Sequence, residues 1–240
     1  MHIESTSNQR IKETNKLKQK KYRDESGLFL IEGYHLVEEA YKAGILKEVF
    51  TTSNINLDVP ITYVTEEIIK YLSDVETPQN IIGVCRKLDN NTIGDKVVVL
   101  DDIQDPGNLG TIIRSAVAFN FDTIILSENS VDVYNPKVVR ASQGMLFKLN
   151  IIRKNIKEII NDLKENNYQI LATKVTDGKD VKSLEKNKKI CIIMGNEGKG
   201  VSDDVLNLAD DFIYIKMNDE CESLNVAIAT SILLYELGSE

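Results

Sequence analysis

The sequence predicts an α/β protein of two domains: a smaller N-terminal α/β unit over residues 1–90 and a larger parallel-sheet domain over residues 97–240. Three observations predict it. Short runs rich in valine and isoleucine alternate with helix-spaced stretches, the pattern of strands joined by crossover helices. The runs at residues 97–103 and 189–195 are nearly continuous in apolar residues rather than alternating, as in strands buried on both faces. A polar stretch at residues 86–96, with paired asparagines and a Gly-Asp step, separates the halves.

Taken in order, residues 10–23 predict a helix with lysines on most faces. Residues 27–33 predict a strand bounded by glycines, and residues 35–43 a helix (Leu36, Val37, Ala40, Tyr41) that stops at Gly44. Strands at 48–52, 61–64 and 81–85 and a helix at 66–73 complete the first unit. In the second, a strand at 97–103 and a loop at 104–108 feed a helix at 109–120. Strands follow at 123–127, 169–175, 189–195 and 212–217, with helices at 137–143, 155–166, 202–209 and 224–237.

Composition narrows the chemistry. The 240 residues suffice for a core without a disulfide or metal staple, and no apolar run approaches the ~20 residues of a membrane span. Residues 1–23 are polar and basic, unlike a secretory signal. Cys85, Cys191 and Cys221 are odd in number and lack a CxxC pair, which fits a reducing cytoplasm and neither a disulfide framework nor a zinc site. Two histidines, His2 and His35, argue against metal or Ser-His-Asp catalysis. The first 23 residues carry seven basic side chains (Arg10, Lys12, Lys16, Lys18, Lys20, Lys21, Arg23) against Glu4 and Glu13, on a chain of net charge −8. Taken alone, such a run reads equally as a solvated helix face or as a phosphate-binding arm.

In open α/β sheets ligands gather beyond the carboxyl ends of the strands. Three such loops share an unusual composition: residues 105–110, residues 194–200 with glycines at 195, 198 and 200, and residues 218–225 closing on Glu222, Ser223, Leu224 and Asn225. None contains GxGxxG, which disfavours a dinucleotide-binding oxidoreductase, and the run from Gly198 to Val201 lacks the Lys-Ser/Thr pair of a P-loop. Arg114 stands in an apolar stretch (Ile112, Ile113, Ala116, Val117), where it needs an anionic partner, Glu197 being a candidate, or a ligand. Asn108 and Ser223 are placed as helix N-caps. The helix at 224–237 is apolar on nearly all sides, as in a core or a subunit interface.

Together these segments are far more specific than any one alone. Asn108, Gly110 and Arg114, then Met194, Gly195, Asn196, Glu197 and Gly198, then Ser223, Leu224, Asn225 and Val226, with Tyr235 and Glu236 downstream, resemble the three motifs of the SpoU (TrmH) branch of SPOUT RNA methyltransferases. The resemblance spans residues 97–240 without departure at the motif positions. Residues 1–90 resemble the ribosomal-protein-like substrate-binding domain that many members carry.

The resemblance implies a C-terminal parallel-sheet SPOUT domain with a deep trefoil knot, which overrides the base rate against knots. It implies S-adenosylmethionine held bent, largely by backbone, at Gly195, Ile215 and Leu224, flanked by Met194 and Met217. It implies methyl transfer to a ribose 2′-hydroxyl by a cytoplasmic homodimer packed through its C-terminal domains, with no metal and no membrane. The RNA implied is a guanosine of large-subunit (23S) ribosomal RNA, selected by the N-terminal domain and the arm of Arg10, Lys12, Lys16, Lys18, Lys20, Lys21 and Arg23. Arg114 matches the family's catalytic arginine. A guanidinium stays protonated above pH 12, so its part is to grip a phosphate and stabilise the developing alkoxide. A phosphate oxygen or water then takes the proton, and Asn108, Glu197, Ser223 and Asn225 orient Arg114 and the ribose. A tRNA 2′-O-methyltransferase, an rRNA adenosine 2′-O-methyltransferase conferring antibiotic resistance and a non-catalytic RNA-binding homologue are alternatives on the same residues.

Overall fold

The computed structural model describes every residue except 90, 176, 185, 186, 239 and 240. The chain folds into two units. The first comprises Met1–Asp89 and Asp132–Lys148, the second Asn90–Val131 and Leu149–Glu240. The segment Asp132–Lys148 lies, in sequence, inside the span assigned above to the second domain, yet it packs into the first unit.

The first unit contains β1 (His2–Ile3), α1 (Gln9–Lys16), α2 (Lys20–Ser26), β2 (Leu28–Glu32), α3 (Tyr34–Lys42), β3 (Leu46–Thr51), β4 (Ile61–Val64), α4 (Glu66–Leu72) and β5 (Ile81–Arg86). Its sheet runs β1-β4-β3-β5-β2. Strands β1, β4 and β3 are parallel, while β5 is antiparallel to both β3 and β2. The single helix expected over residues 10–23 is two helices, and Arg23 explains the break. Its Nη1 donates to the carbonyls of Leu17 and Lys18 at 2.9 and 2.7 Å, which the end of α1 leaves without helical partners. Its Nε and Nη2 pair with the Asp132 carboxylate, and Arg23 is only 3% exposed.

Asp132 thereby ties the inserted segment to α2. The segment also brings Tyr134 to 4.7 Å and Phe147 to 6.4 Å from the ring of fully buried Phe29. The Tyr134 hydroxyl accepts from the Leu88 amide at 2.9 Å. Replacing Arg23 by alanine strands Asp132 and two carbonyls in a dry site, and is expected to destabilise the protein by about 3–5 kcal/mol. Urea unfolding followed by circular dichroism checks this; a loss below about 1 kcal/mol would remove the pair from the structural account.

The second unit contains β6 (Lys96–Leu100), α5 (Pro106–Ala118) and β7 (Thr123–Leu126). After α6 (Pro136–Ser142), which belongs to the first unit, it continues with β8 (Asn150–Arg153), α7 (Ile156–Glu165), β9 (Gln169–Thr173), β10 (Lys179–Asp180), β11 (Ile190–Met194), α8 (Asp203–Leu206), β12 (Asp211–Tyr214) and α9 (Val226–Gly238). Its sheet has seven strands in the order β10-β12-β9-β11-β6-β7-β8. Every pairing is parallel, as the continuous apolar runs predict: Val97–Leu100 and all of β11 are buried.

Several boundaries differ from the sequence reading. The strand expected over 212–217 ends at Tyr214, which leaves residues 215–225 irregular. The helix expected over 202–209 is the single turn α8, and the apolar helix begins at Val226 rather than 224. Strand β8 was not anticipated, since Asn150 and Arg153 give it a polar outline. Among the described residues no helix is long and apolar enough to cross a membrane.

Candidate active site

Strand order places the site. The chain runs from β6 outward to β7 and β8, then crosses to β9 on the other side, and β11 returns to fill the gap beside β6. A crevice forms where strand order reverses in this way, at the carboxyl ends. The loops after β6 and β11 are therefore neighbours. The Asp101 amide donates to the Met194 carbonyl at 2.9 Å, and the Asp101 carboxylate accepts from the amide and hydroxyl of Ser202 at 3.0 and 2.7 Å.

Three motif segments meet in one hydrogen-bond chain. Asn108 Nδ2 donates to Glu197 Oε1 at 3.1 Å, and Asn225 Nδ2 donates to Asn108 Oδ1 at 3.0 Å. Asn225 Oδ1 accepts from the amides of Ala227 and Ile228 at 2.9 and 3.3 Å. The start of α9 thus fixes the orientation of both asparagine amides: with its oxygen committed to the helix, Asn225 must turn its NH2 to Asn108, which must turn its own to Glu197.

Two capping expectations are corrected here. Asp105, not Asn108, caps α5, accepting from the Asn108 amide at 2.9 Å with Pro106 at the first helical position. Asn225, not Ser223, caps α9. Neither displaced residue is spent on its own helix end. Asn108 joins the chain to Glu197, and exposed Ser223 lines the neighbouring cleft.

Four other residues donate to Glu197. The amides of Gln104 and Asp105 reach its carboxylate at 3.3 and 3.1 Å, Asn108 at 3.1 Å, and Asn196 Nδ2 more loosely at 3.5 Å. Partial burial pushes its carboxyl up, but hydrogen bonds from Asp105, its own amide, Asn108 and Gln104 outweigh that and hold it below the usual carboxylate range. It is an anion at neutral pH.

Glu197 does not pair with Arg114, as the sequence had allowed. Among the described residues no hydrogen bond or ion pair engages the Arg114 side chain, which is exposed on the third turn of α5. An unengaged guanidinium two turns along α5 from Asn108 is available to a phosphate. The neighbouring Ser115 hydroxyl lies 2.7 Å from that of Ser231 on α9, and Phe119 meets Tyr235 edge-on at 5.5 Å. Helix α9 leaves Ile228 and Tyr235, two turns apart, 53% and 58% exposed on this side.

Beside the chain lies a cleft of about 580 Å³, bounded by the ends of β9, β11 and β12, the glycine loop and the irregular segment before α9. That volume suits a nucleoside-sized ligand. Met194, Gly195, Ile215, Met217 and Leu224, the five residues expected to hold the cofactor, all line it, as do Glu197 and Ser223. Asn108, Arg114 and Asn225 do not. The donor set fits S-adenosylmethionine: half-buried apolar side chains flank a stretch whose backbone amides at Ile215, Met217 and Leu224 make no hydrogen bond to another backbone group among the described residues. Such amides would be free to hold the adenine of that cofactor.

Sequence reasoning carried Asn196 only as a member of the second motif and gave it no role, yet it organises the loop after β11. Its Oδ1 accepts from the amides of Gly198 and Lys199 at 2.9 and 3.2 Å, and its Nδ2 donates to the Asp102 carbonyl at 2.8 Å. An asparagine between glycines was the available signal.

The basic arm is mostly committed within the first unit. Arg10 pairs with Glu48, Lys16 with Glu13, Lys20 with Asp24 and Lys21 with Glu25. Lys18 donates to the carbonyls of Tyr71 and Ser73 at the end of α4 and neighbours Asp74. Arg23 is buried and structural, so it cannot touch RNA. Lys12, Lys16, Lys20 and Lys21 are left as surface cations, because exposed ion pairs are weak and exchange readily for phosphates.

Known proteins share this chain's sequence and fold. Residues 95–235 match the model of the SpoU rRNA Methylase family, and residues 8–83 match that of the MRM3-like substrate binding domain. The chain is 36% identical, over 98% of both sequences, to the 23S rRNA (guanosine(2553)-2′-O)-methyltransferase RlmP of Bacillus subtilis (strain 168). Its structure resembles the AdoMet-bound rRNA methyltransferase from Sinorhizobium meliloti with a TM-score of 0.89 and 30% identity, over 99% of this chain and 97% of that one. The fold is also that of the AdoMet complex of AviRb from Streptomyces viridochromogenes, with a TM-score of 0.85 and 24% identity over 96% and 97% of the two chains.

Proposed function

The chain belongs to the SpoU rRNA Methylase family, and on that premise we propose that it transfers a methyl group from S-adenosylmethionine to the ribose 2′-hydroxyl of a guanosine in large-subunit ribosomal RNA. The observation that carries this is the Glu197–Asn108–Asn225 chain, which joins three sequence-distant motifs beside a cleft lined by every residue expected to hold the cofactor. The guanosine and the 23S RNA rest on the B. subtilis relative, whose similarity spans both units.

The bound cofactor supplies an activated methyl group on a sulfonium. The chain's own part is to align and polarise the ribose hydroxyl. Met194, Met217 and Leu224 exclude water around the adenine, and the glycine loop forms the wall beneath. Arg114 binds the phosphate next to the target ribose and stabilises negative charge on the 2′-oxygen. The proton leaves to a phosphate oxygen or water. Glu197 remains ionised and holds Asn108, which with Asn225 and Ser223 orients the ribose.

The protein works as a cytoplasmic homodimer in this reading. Arg114 is outside the lining of the cleft in its own chain, whereas it stands on α5 next to the exposed apolar side of α9. Packing of that side against a second copy brings one copy's Arg114 to the other's cleft. The C-terminal chain threads the family's trefoil knot, and Lys12, Lys16, Lys20 and Lys21 steer RNA to the first unit.

The test is a labelled-methyl transfer assay on total tRNA, small-subunit rRNA and large-subunit rRNA from cells lacking the gene. Label is expected in large-subunit rRNA at one guanosine. Label confined to tRNA or to an adenosine would replace the substrate, and no label in any RNA or assembling ribosomal particle, with cofactor bound, would overturn the activity.

A further inference from the structure

Asp102 has a left-handed backbone, φ 61°, a conformation aspartate tolerates better than most side chains but at a cost. Strain of this kind persists where surroundings over-determine it, and it gathers at functional sites. The surroundings here are unusually complete. Ser127 Oγ accepts from the Asp102 amide at 2.9 Å and donates to Asp102 Oδ1 at 2.6 Å, a reciprocal pair that closes on both ends of the residue. Ser127 is buried, and its one proton is given to Asp102. The 2.8 Å contact with buried Ser130 Oγ is therefore donated by Ser130.

The Ser127 loop is itself clamped. Arg153 on β8 donates through Nη1 to the carbonyls of Ser127, Glu128 and Ser130 at 2.7, 3.0 and 2.8 Å, and through Nη2 to that of Val131 at 2.7 Å. The loop returns two more bonds to the turn after β6: Val131 N to the Ile103 carbonyl at 2.9 Å, and Gln104 Nε2 to the Asn129 carbonyl at 3.0 Å. The turn faces the Glu197 loop with the Asp102 carbonyl, which accepts from Asn196, and with the amides of Gln104 and Asp105, which reach the Glu197 carboxylate.

We propose that Asp102, Ser127 and Arg153 form a lock that positions Glu197, and through it Asn108, for the transfer reaction. None of the three touches the cleft, so they are positioning residues. The left-handed turn at Asp102 aims two consecutive amides at one carboxylate, Ser127 holds that turn, and Arg153 holds Ser127. The role rests on the methyl-transfer reading above.

Two readouts test it. The first is the titration of the Glu197 carboxyl by carbon-13 NMR, assigned by its loss in Glu197→Gln, which needs no RNA. In Asp102→Ala and in Ser127→Ala the titration moves up toward the ordinary glutamate range, because the two backbone donors drift away. In Asp102→Asn, which keeps both the acceptor and the tolerance for positive φ, it stays at the wild-type value. The second is single-turnover methyl transfer. Asp102→Ala and Ser127→Ala lower the rate about 10- to 100-fold, as small misplacements do, with RNA affinity nearly unchanged, while Asp102→Asn restores it. An unmoved Glu197 titration in Asp102→Ala, or an Asp102→Asn variant as slow as Asp102→Ala, overturns the lock. If the wild type methylates no RNA, the functional reading fails while the titration still decides whether the lock holds.

Discussion

Arg114→Ala binds S-adenosylmethionine with wild-type affinity and transfers methyl at least about 10³-fold more slowly, a loss of about 4 kcal/mol of transition-state stabilisation. Both halves follow from placement. The Arg114 side chain is exposed, unengaged among the described residues and outside the cleft lining of its own chain, so its removal leaves that lining intact. What disappears is a fixed cation for the phosphate and the 2′-oxygen. Arg114→Lys keeps the charge but not the planar fork that meets two oxygens at once, and is expected to recover less than a tenth of the rate. Equilibrium dialysis with labelled cofactor and single-turnover transfer measure the two halves. A transfer rate within threefold of wild type would take Arg114 out of the chemistry, and an equal loss of cofactor binding would make it a binding residue. Mixing Arg114→Ala with a cleft-defective variant extends the test: recovery of activity in the mixture is expected if arginine and cleft come from different copies.

Gly195→Ala has the opposite signature. A Cβ at Gly195 would lie 2.0 Å from Gly200 C and Val201 N, both backbone atoms. The cause is local: Asn196 and Gly200 exchange two amide-to-carbonyl bonds of 2.9 Å, folding the loop back onto the residue before it. No flexible side chain is present to yield, so the loop must open and move the cleft wall with it. Cofactor Kd is expected to rise at least about 100-fold, and stability to fall by about 1–3 kcal/mol, the usual cost of overpacking. Calorimetric titration and urea unfolding measure these. A Kd within threefold of wild type would show that the loop can reshape without harm. This also reassigns the glycine: the loop's own backbone, folded back at Gly200 and Val201, requires the missing side chain, beyond any need for the cofactor to approach.

How much of this the sequence disclosed depended on the range of the interaction. Strands β6 and β11 were legible because burial on both faces leaves an unbroken apolar run, and their pairing is what brings the first two loops together. Strand β8 was not, because an edge strand tolerates Asn150 and Arg153. The motif residues were identified by their order, and the five residues expected to hold the cofactor line one cleft. The caps were misplaced between neighbouring polar residues, although Pro106 already marked Asp105 as the cap. Lys20 with Asp24 and Lys21 with Glu25 could have been read from four-residue spacing. Arg23 with Asp132 could not: partners 109 residues apart leave no local pattern. Nor could Asp102, whose importance lies in a backbone angle and in a serine on another strand's loop.

The inserted segment also sets a timetable for biosynthesis. The first unit is finished only when Asp132, Tyr134 and Phe147 have been made, since these neutralise Arg23 and cover Phe29. Translation from Asp89 to Lys148 takes about 3–12 s at ~5–20 residues per second. Through that interval the nascent N-terminal sheet stays open on one side, while β6, α5 and β7 of the second unit emerge. The first unit therefore does not ripen first and wait for the second. The two halves mature nearly together on the ribosome, and a gene fragment stopped at residue 89 encodes a sheet with its hydrophobic cover left behind.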